Sequence, residues 1–194
     1  MRGPGVGGES VREFHETADW FGAASPWKPE IWLQVEGDTL NYCFRAQKTP
    51  LCDEKMESGS FVEGLWEKDV AELFLSGPGE SYQEINISPT GAWWSALFRG
   101  YRERSQTVEF PVEIEVERAD NFWQVSFSTA VENLVAWSGL QRPEYRASPT
   151  AILHGPEPSF FAWNWNPNKD GEPDFHRKDL LKPLSWNEQR MFWP

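Results

Sequence analysis

Between Val108 and Glu117 every even position is apolar (Val108, Phe110, Val112, Ile114, Val116), and Glu109, Glu113, Glu115 and Glu117 stand between them. Successive side chains of an extended strand point to opposite faces. The run therefore predicts a half-buried antiparallel strand with a solvated acidic face. Pro111 interrupts it. Proline has no N–H to give to a ladder, so this strand is expected at a sheet edge or with a bulge.

The same period recurs along the chain. Ile31 to Glu36 alternates, Gly37-Asp38 turns, and Leu40, Tyr42, Phe44 and Ala46 share the next face, a hairpin signature. Further strands are predicted from Glu67 to Leu75, Tyr82 to Ile87, Ala92 to Phe98, Trp123 to Phe127, Thr150 to His154, Phe160 to Trp165 and near Leu180 to Leu184. Gly77-Pro78-Gly79 and Ser88-Pro89-Thr90-Gly91 separate them as turns. Only Thr129 to Trp137 reads as a helical turn or short helix. About nine to eleven short strands with little helix predict an all-β fold, an antiparallel β-sandwich of jelly-roll or immunoglobulin-like type. Residues 1–20 are expected to form a flexible or loosely docked lead, with Phe14, Trp20 and Phe21 as docking points. Residues 21–194 are expected to form one domain, a size that all-β domains reach undivided.

A net charge of −12 disfavours nucleic acid and anionic membrane surfaces as partners. No stretch approaches the roughly 20 apolar residues of a membrane span. The first residues lack the apolar run of a signal peptide, which makes a cytoplasmic location the expectation. Cys43 and Cys52 are then expected as free thiols. No Cys-x-x-Cys occurs and His15, His154 and His176 lie far apart, so no zinc site is predicted. There is no Gly-x-Ser-x-Gly, and Gly77 to Ser81 lacks the lysine and helix of a phosphate loop. No catalytic constellation is expected; an enzyme would have to draw on His176, Asp174 and Glu72.

What the composition does stress is tryptophan, with twelve residues. Most are expected in the core. Phe161, Trp163 and Trp165 share one strand face, and the adjacent Trp93 and Trp94 must split across two. Glu72 falls between Val70 and Phe74 on an apolar face, where a carboxylate is unfavourable without a partner. Trp66 stands at the mouth of that strand beside a long loop. Asn166, Asn168, Asp170 and Glu172 set oxygens at alternate positions, which makes Asp170 and Glu172 weak calcium candidates.

Three segments carry a resemblance: Trp66-Glu67-Lys68-Asp69-Val70-Ala71-Glu72-Leu73-Phe74; Tyr82-Gln83-Glu84-Ile85-Asn86-Ile87-Ser88-Pro89, continuing to Gly91 and Trp93; and Pro173-Asp174-Phe175-His176 followed by Leu184. Together they resemble the family 9 carbohydrate-binding modules and their DOMON-like relatives, over Pro29 to Trp186. The resemblance implies a jelly-roll-like sandwich with a ligand cleft at one end. There two aromatic rings would clamp a sugar and polar groups would bind its hydroxyls. Trp66 matches the first ring and Phe175 the second, as Phe rather than Trp. Glu72 matches a hydroxyl-binding carboxylate and Asn86 a strand asparagine. Glu84 stands where sugar binders carry a basic residue, and His176 follows the second ring. The implied ligand is a small saccharide. A less favoured implication is haem, held as in some DOMON relatives between a Met and a His, for which Met56 with His154 or His176 is the available pair.

Overall fold

Strand pairing organises this chain almost alone. The computed structural model describes residues 12–165, 171–187 and 190–192. Among the described residues the helical segments are five three-residue 3-10 turns, two of them between Val131 and Trp137. Fourteen strands are present: β1 His15–Glu16, β2 Glu30–Glu36, β3 Thr39–Ala46, β4 Val70–Ser76, β5 Tyr82–Ile87, β6 Trp93–Phe98, β7 Arg104–Thr107, β8 Glu113–Ala119, β9 Phe122–Ala130, β10 Arg146–His154, β11 Pro158–Ala162, β12 Lys182–Pro183, β13 Ser185–Asn187 and β14 Arg190–Phe192. They form two antiparallel sheets of a β-sandwich. The first runs β13-β14-β2-β3-β9-β8, with β1 also on β2. The second runs β11-β10-β4-β5-β6-β7, with β12 also on β10.

The core between the sheets takes alternate residues of each strand. Leu33, Tyr42, Phe44 and Phe127 from the first sheet pack with Leu73, Ile85, Trp93 and Phe161 from the second. A second apolar cluster lies on the far side of the second sheet, built on Val70, Phe74, Tyr82, Trp94 and Phe98 and roofed by Trp20, Leu65, Phe175 and Leu180. β4 and β5 are consequently buried along their whole length on both faces.

Several predicted elements take a different form. The alternating run from Val108 to Glu117 is not one strand. Val108 N–H still bonds Ser95 O of the second sheet (2.9 Å), whereas β8 belongs to the first and forms its edge. The chain crosses between sheets around Phe110-Pro111, and its apolar residues face the same core from either side of the crossing. Sandwich corners are commonly turned by such bends. β4 begins at Val70 rather than Glu67, because Leu65–Glu67 winds into a 3-10 turn after Gly64, whose φ of +90° suits glycine. Phe161 and Trp163 pack on the inter-sheet core as predicted. Trp165 does not: β11 ends at Ala162, the chain turns, and Trp165 stacks on Trp20 (4.0 Å, 12°) in the other cluster. Trp93 and Trp94 split as the period requires, one into each cluster.

The chain before residue 21 already contributes to the fold. β1 pairs with β2, and Trp20 is buried, its N–H bonded to Phe160 O (2.7 Å) and its indole Nε1 to Gly171 O (3.0 Å). Phe14 lies under the Arg45 guanidinium, and Phe21 is exposed.

Candidate binding cavity

Over the outer face of β10, β4, β5 and β6 lies a cavity of about 460 Å³. Its floor is Glu72, Phe74, Glu84 and Ile152, side chains that alternate out of three neighbouring strands. Trp66, Trp94, Phe98, Phe160, Phe175 and His176 form its sides, with Glu63, Arg102, Arg104 and Pro173 also lining it. The cleft therefore sits on a sheet face and not at an end of the sandwich. The roof is why: the loop after Gly171 and the Trp20 segment fold across the outside of the sheet.

Five of the six predicted binding residues, Trp66, Glu72, Glu84, Phe175 and His176, line this one cavity. Trp66 is 37% exposed and meets Trp94 edge-on (5.4 Å, 65°). Phe175 is mostly buried, held between Trp20 (5.9 Å) and Phe160 (6.1 Å). Asn86 does not line the cavity. It is wholly buried beside the floor, opposite Glu72 in the β4–β5 register, and its Nδ2 donates to Glu84 Oε1 (3.0 Å). Its Oδ1 and the indole Nε1 of Trp94 are buried without a hydrogen-bond partner among the described residues.

Two carboxyls of the motif around Trp66 have opposite fates. Asp69 is wholly buried and saturated: it accepts from Lys48 Nζ (2.7 Å), Leu51 N–H (2.8 Å) and His154 N–H (2.6 Å). It fastens a loop to β4 and β10. Glu72 is 3% exposed and accepts from Thr150 Oγ1 alone (3.0 Å) among the described residues. Burial, reinforced by the neighbouring charge of Glu84, pushes the Glu72 carboxyl up to about 8. Burial raises Glu84 to about 7, against the opposing effects of Asn86, Arg104 and Arg102. Those two arginines are engaged elsewhere: Arg102 with Asp174 (2.9 Å) and Arg104 with Glu63.

His176 has a different environment. Its Nδ1 lies 2.7 Å from Tyr82 Oη, which also accepts the Arg102 N–H (3.1 Å). Burial first, and then the Arg102 charge, lower His176 to about 4, so the imidazole is neutral at pH 7. Its ring is caged by Phe74 (5.4 Å) and Phe98 (5.1 Å). Asp174 touches His176 through the backbone N–H (3.2 Å). Sequence reasoning did not single out Tyr82, Trp94 or Phe98. The available signal was the outward parity they share with Glu84 and Asn86 on β5 and β6.

Met56 and His176 do not face one cavity as an axial pair for haem. Met56 lines a separate space of about 140 Å³ with Cys52, Glu67 and Asp69, and the backbone of His154 is tied to Asp69. Among the described residues no group of three or more His, Cys, Asp or Glu could hold a metal ion. Asp170 lies outside the described residues, as do Asn166 and Asn168, and Glu172 is exposed. Cys43 and Cys52 are free. No helix among the described residues is long and apolar enough to cross a membrane.

No family model matches the chain. The UPF0462 protein C4orf33 homolog of Rattus norvegicus is 27% identical over 145 residues, an alignment covering 68% of this chain and 65% of that protein. The chain thus spans a little less than two thirds of that relative's length. Among solved structures, a Bacteroides uniformis protein proposed to be carbohydrate-binding has a TM-score of 0.65 at 14% identity, covering 88% of this chain and 84% of that one. A family 9 carbohydrate-binding module from Caldicellulosiruptor kristjanssonii in complex with glucose has a TM-score of 0.45 at 10% identity, covering 78% and 74%. The likeness to the Bacteroides uniformis protein is one of fold.

Proposed function

We propose that this sandwich is a non-catalytic saccharide-binding domain of the family 9 type, and that the sugar occupies the cavity above β4 and β5. One observation carries the reading: Trp66 and Phe175, far apart in sequence, line the same 460 Å³ space as two buried carboxyls. That volume is in the range of small-ligand sites, which join mostly apolar walls to a few fixed polar groups. Aromatic rings suit the C–H faces of a pyranose. Glu72 and Glu84, near the midpoint of their titration at neutral pH, can accept a hydroxyl proton or donate their own. The fold shared with a protein proposed to bind carbohydrate supports the same class of ligand.

A non-catalytic role fits the state of the titratable groups. The His176 side chain bonds a phenol and not a carboxylate, and the one hydroxyl that bonds Glu72 among the described residues, Thr150 Oγ1, belongs to a wholly buried residue that does not line the cavity. Each stacking contact contributes on the order of 1 kcal/mol, by analogy with aromatic pairs. Affinity is then micromolar at best and set mainly by the rigidity of the site. A glycan array followed by calorimetry on its hits tests the reading. Saturable binding of at least one saccharide is expected; no binding to any neutral or amino sugar ends the proposal.

A further inference from the structure

Among the described residues the cavity holds more acid than its arginines neutralise. Every charged or titratable group that lines it among the described residues can be placed. Glu63 is paired with Arg104, and Asp174 with Arg102. His176 is hydrogen-bonded to Tyr82. What remains is Glu72 on β4 and Glu84 on β5, both more than nine-tenths buried and both lining the cavity, with only the neutral donors Thr150 and Asn86 bonded to them among the described residues. In the β4–β5 register Glu72 lies opposite Asn86 and Glu84 opposite Phe74, so the two carboxyls are diagonal neighbours on one face. Diagonal positions are within reach of long side chains.

A merely structural pair of this kind would be saturated by donors, as Asp69 is three residues earlier. The surrounding walls add a second property. Trp66, Trp94, Phe98, Phe160 and Phe175 present aromatic rings to the space. Such rings attract cations placed over their faces. This wall already accepts one: the Arg104 guanidinium lies 5.7 Å from the Trp94 ring centroid.

We propose that the preferred occupant is an amino sugar, its protonated amine held between the Glu72 and Glu84 carboxyls and its ring against the aromatic wall. This inference rests on the saccharide reading above. An acetylated amine removes the charge and adds bulk, and a plain hydroxyl removes the charge alone. Both should lose the contact. Binding of an ammonium favours the ionised carboxyls, so it should release protons near neutral pH.

The test compares glucosamine, N-acetylglucosamine and glucose, each as the monosaccharide and as the β-1,4-linked trimer, by calorimetry at pH 6.5 in two buffers of different ionisation enthalpy. The amine form should bind about tenfold more tightly than the other two, the difference expected of a hydrogen bond to a charged group. It alone should release a proton. In Glu72→Gln and Glu84→Gln the ratio between amine and hydroxyl forms should fall towards one, with thermal melting confirming that each variant folds. Equal binding of the three sugars, or an amine preference unchanged in both variants, overturns the inference and leaves the saccharide reading standing. Binding of none of them, together with an empty glycan array, overturns both.

Discussion

On β5, Gln83 points inward while Glu84 and Asn86 point outward, and all three are buried. Gln83 uses both ends of its amide: Nε2 donates to Ser95 Oγ (3.0 Å) and Oε1 accepts from Ala136 N–H (3.1 Å). Glu84 and Asn86 share one hydrogen bond, Asn86 Oδ1 has no partner among the described residues, and Glu84 borders open space. The inner face is a filled core in which the Gln83 amide is satisfied at both ends. The outer face is roofed but unfinished. A sandwich requires each sheet to bury one face, and the first sheet leaves its other face at β8 as a row of exposed glutamates. The second sheet buries both along β4 and β5. The indole Nε1 atoms of Trp123 and Trp137 in the inner core also lack partners among the described residues, so what marks the functional face is the cavity that Glu72 and Glu84 line under that extra roof.

The contrast can be broken most severely from the inside. Leu73 lies next to Glu72 in sequence but faces the inter-sheet core and is wholly buried. Leu73→Ala should cost about 2–5 kcal/mol of stability, read by chemical denaturation. A loss close to zero would mean that the inner face is not the core described.

Glu72→Gln, one residue away, should act through pH. The Glu72 carboxyl keeps its proton to about 8 in the fold and to 4.5 when unfolded, and Glu84 keeps its own to about 7. The folded chain then binds more protons than the unfolded chain over this interval, and stability falls as pH rises through it. His176 has the opposite sign. Its value drops from 6.5 to about 4, so its contribution is present above 6.5 and lost as pH falls towards 4. Glu72→Gln should melt near the wild-type temperature at pH 5 and above it at pH 8. Equal shifts at the two pH values would show that the carboxyl is not held protonated.

The smallest effect belongs to the solvated face of the first sheet. Glu115 is exposed on β8, and Glu115→Lys should change stability by no more than about 0.5 kcal/mol in the same denaturation assay.

Much of this was legible because period two survives even where hydrogen bonding changes. The parity of Val108 to Val116 gave the correct core-facing residues although the chain passes from one sheet to the other at Pro111. The same parity placed Glu72 between Val70 and Phe74, on the face where it is found. Parity does not say what covers a face. The roof is made by contacts between Trp20 and Gly171, Trp165 and Phe175, more than a hundred residues apart, and no local pattern encodes them. The position of the cleft on a sheet face was therefore hidden. So was the fate of Asp69 and Glu72. Both are carboxylic acids of one motif, and only their partners show that one is a structural clamp while the other lines the cavity.

The central claim is that ligand enters between Trp66 and Phe175 above the two carboxyls. Tryptophan fluorescence titration with a glycan-array hit tests it directly, using wild type, Trp66→Ala and, as a control outside the cavity, Phe21→Ala, whose ring is 69% exposed. Wild type and Phe21→Ala should show the same saturable change, and Trp66→Ala should show none while keeping its melting temperature close to that of wild type. An unaltered titration in Trp66→Ala would contradict the account.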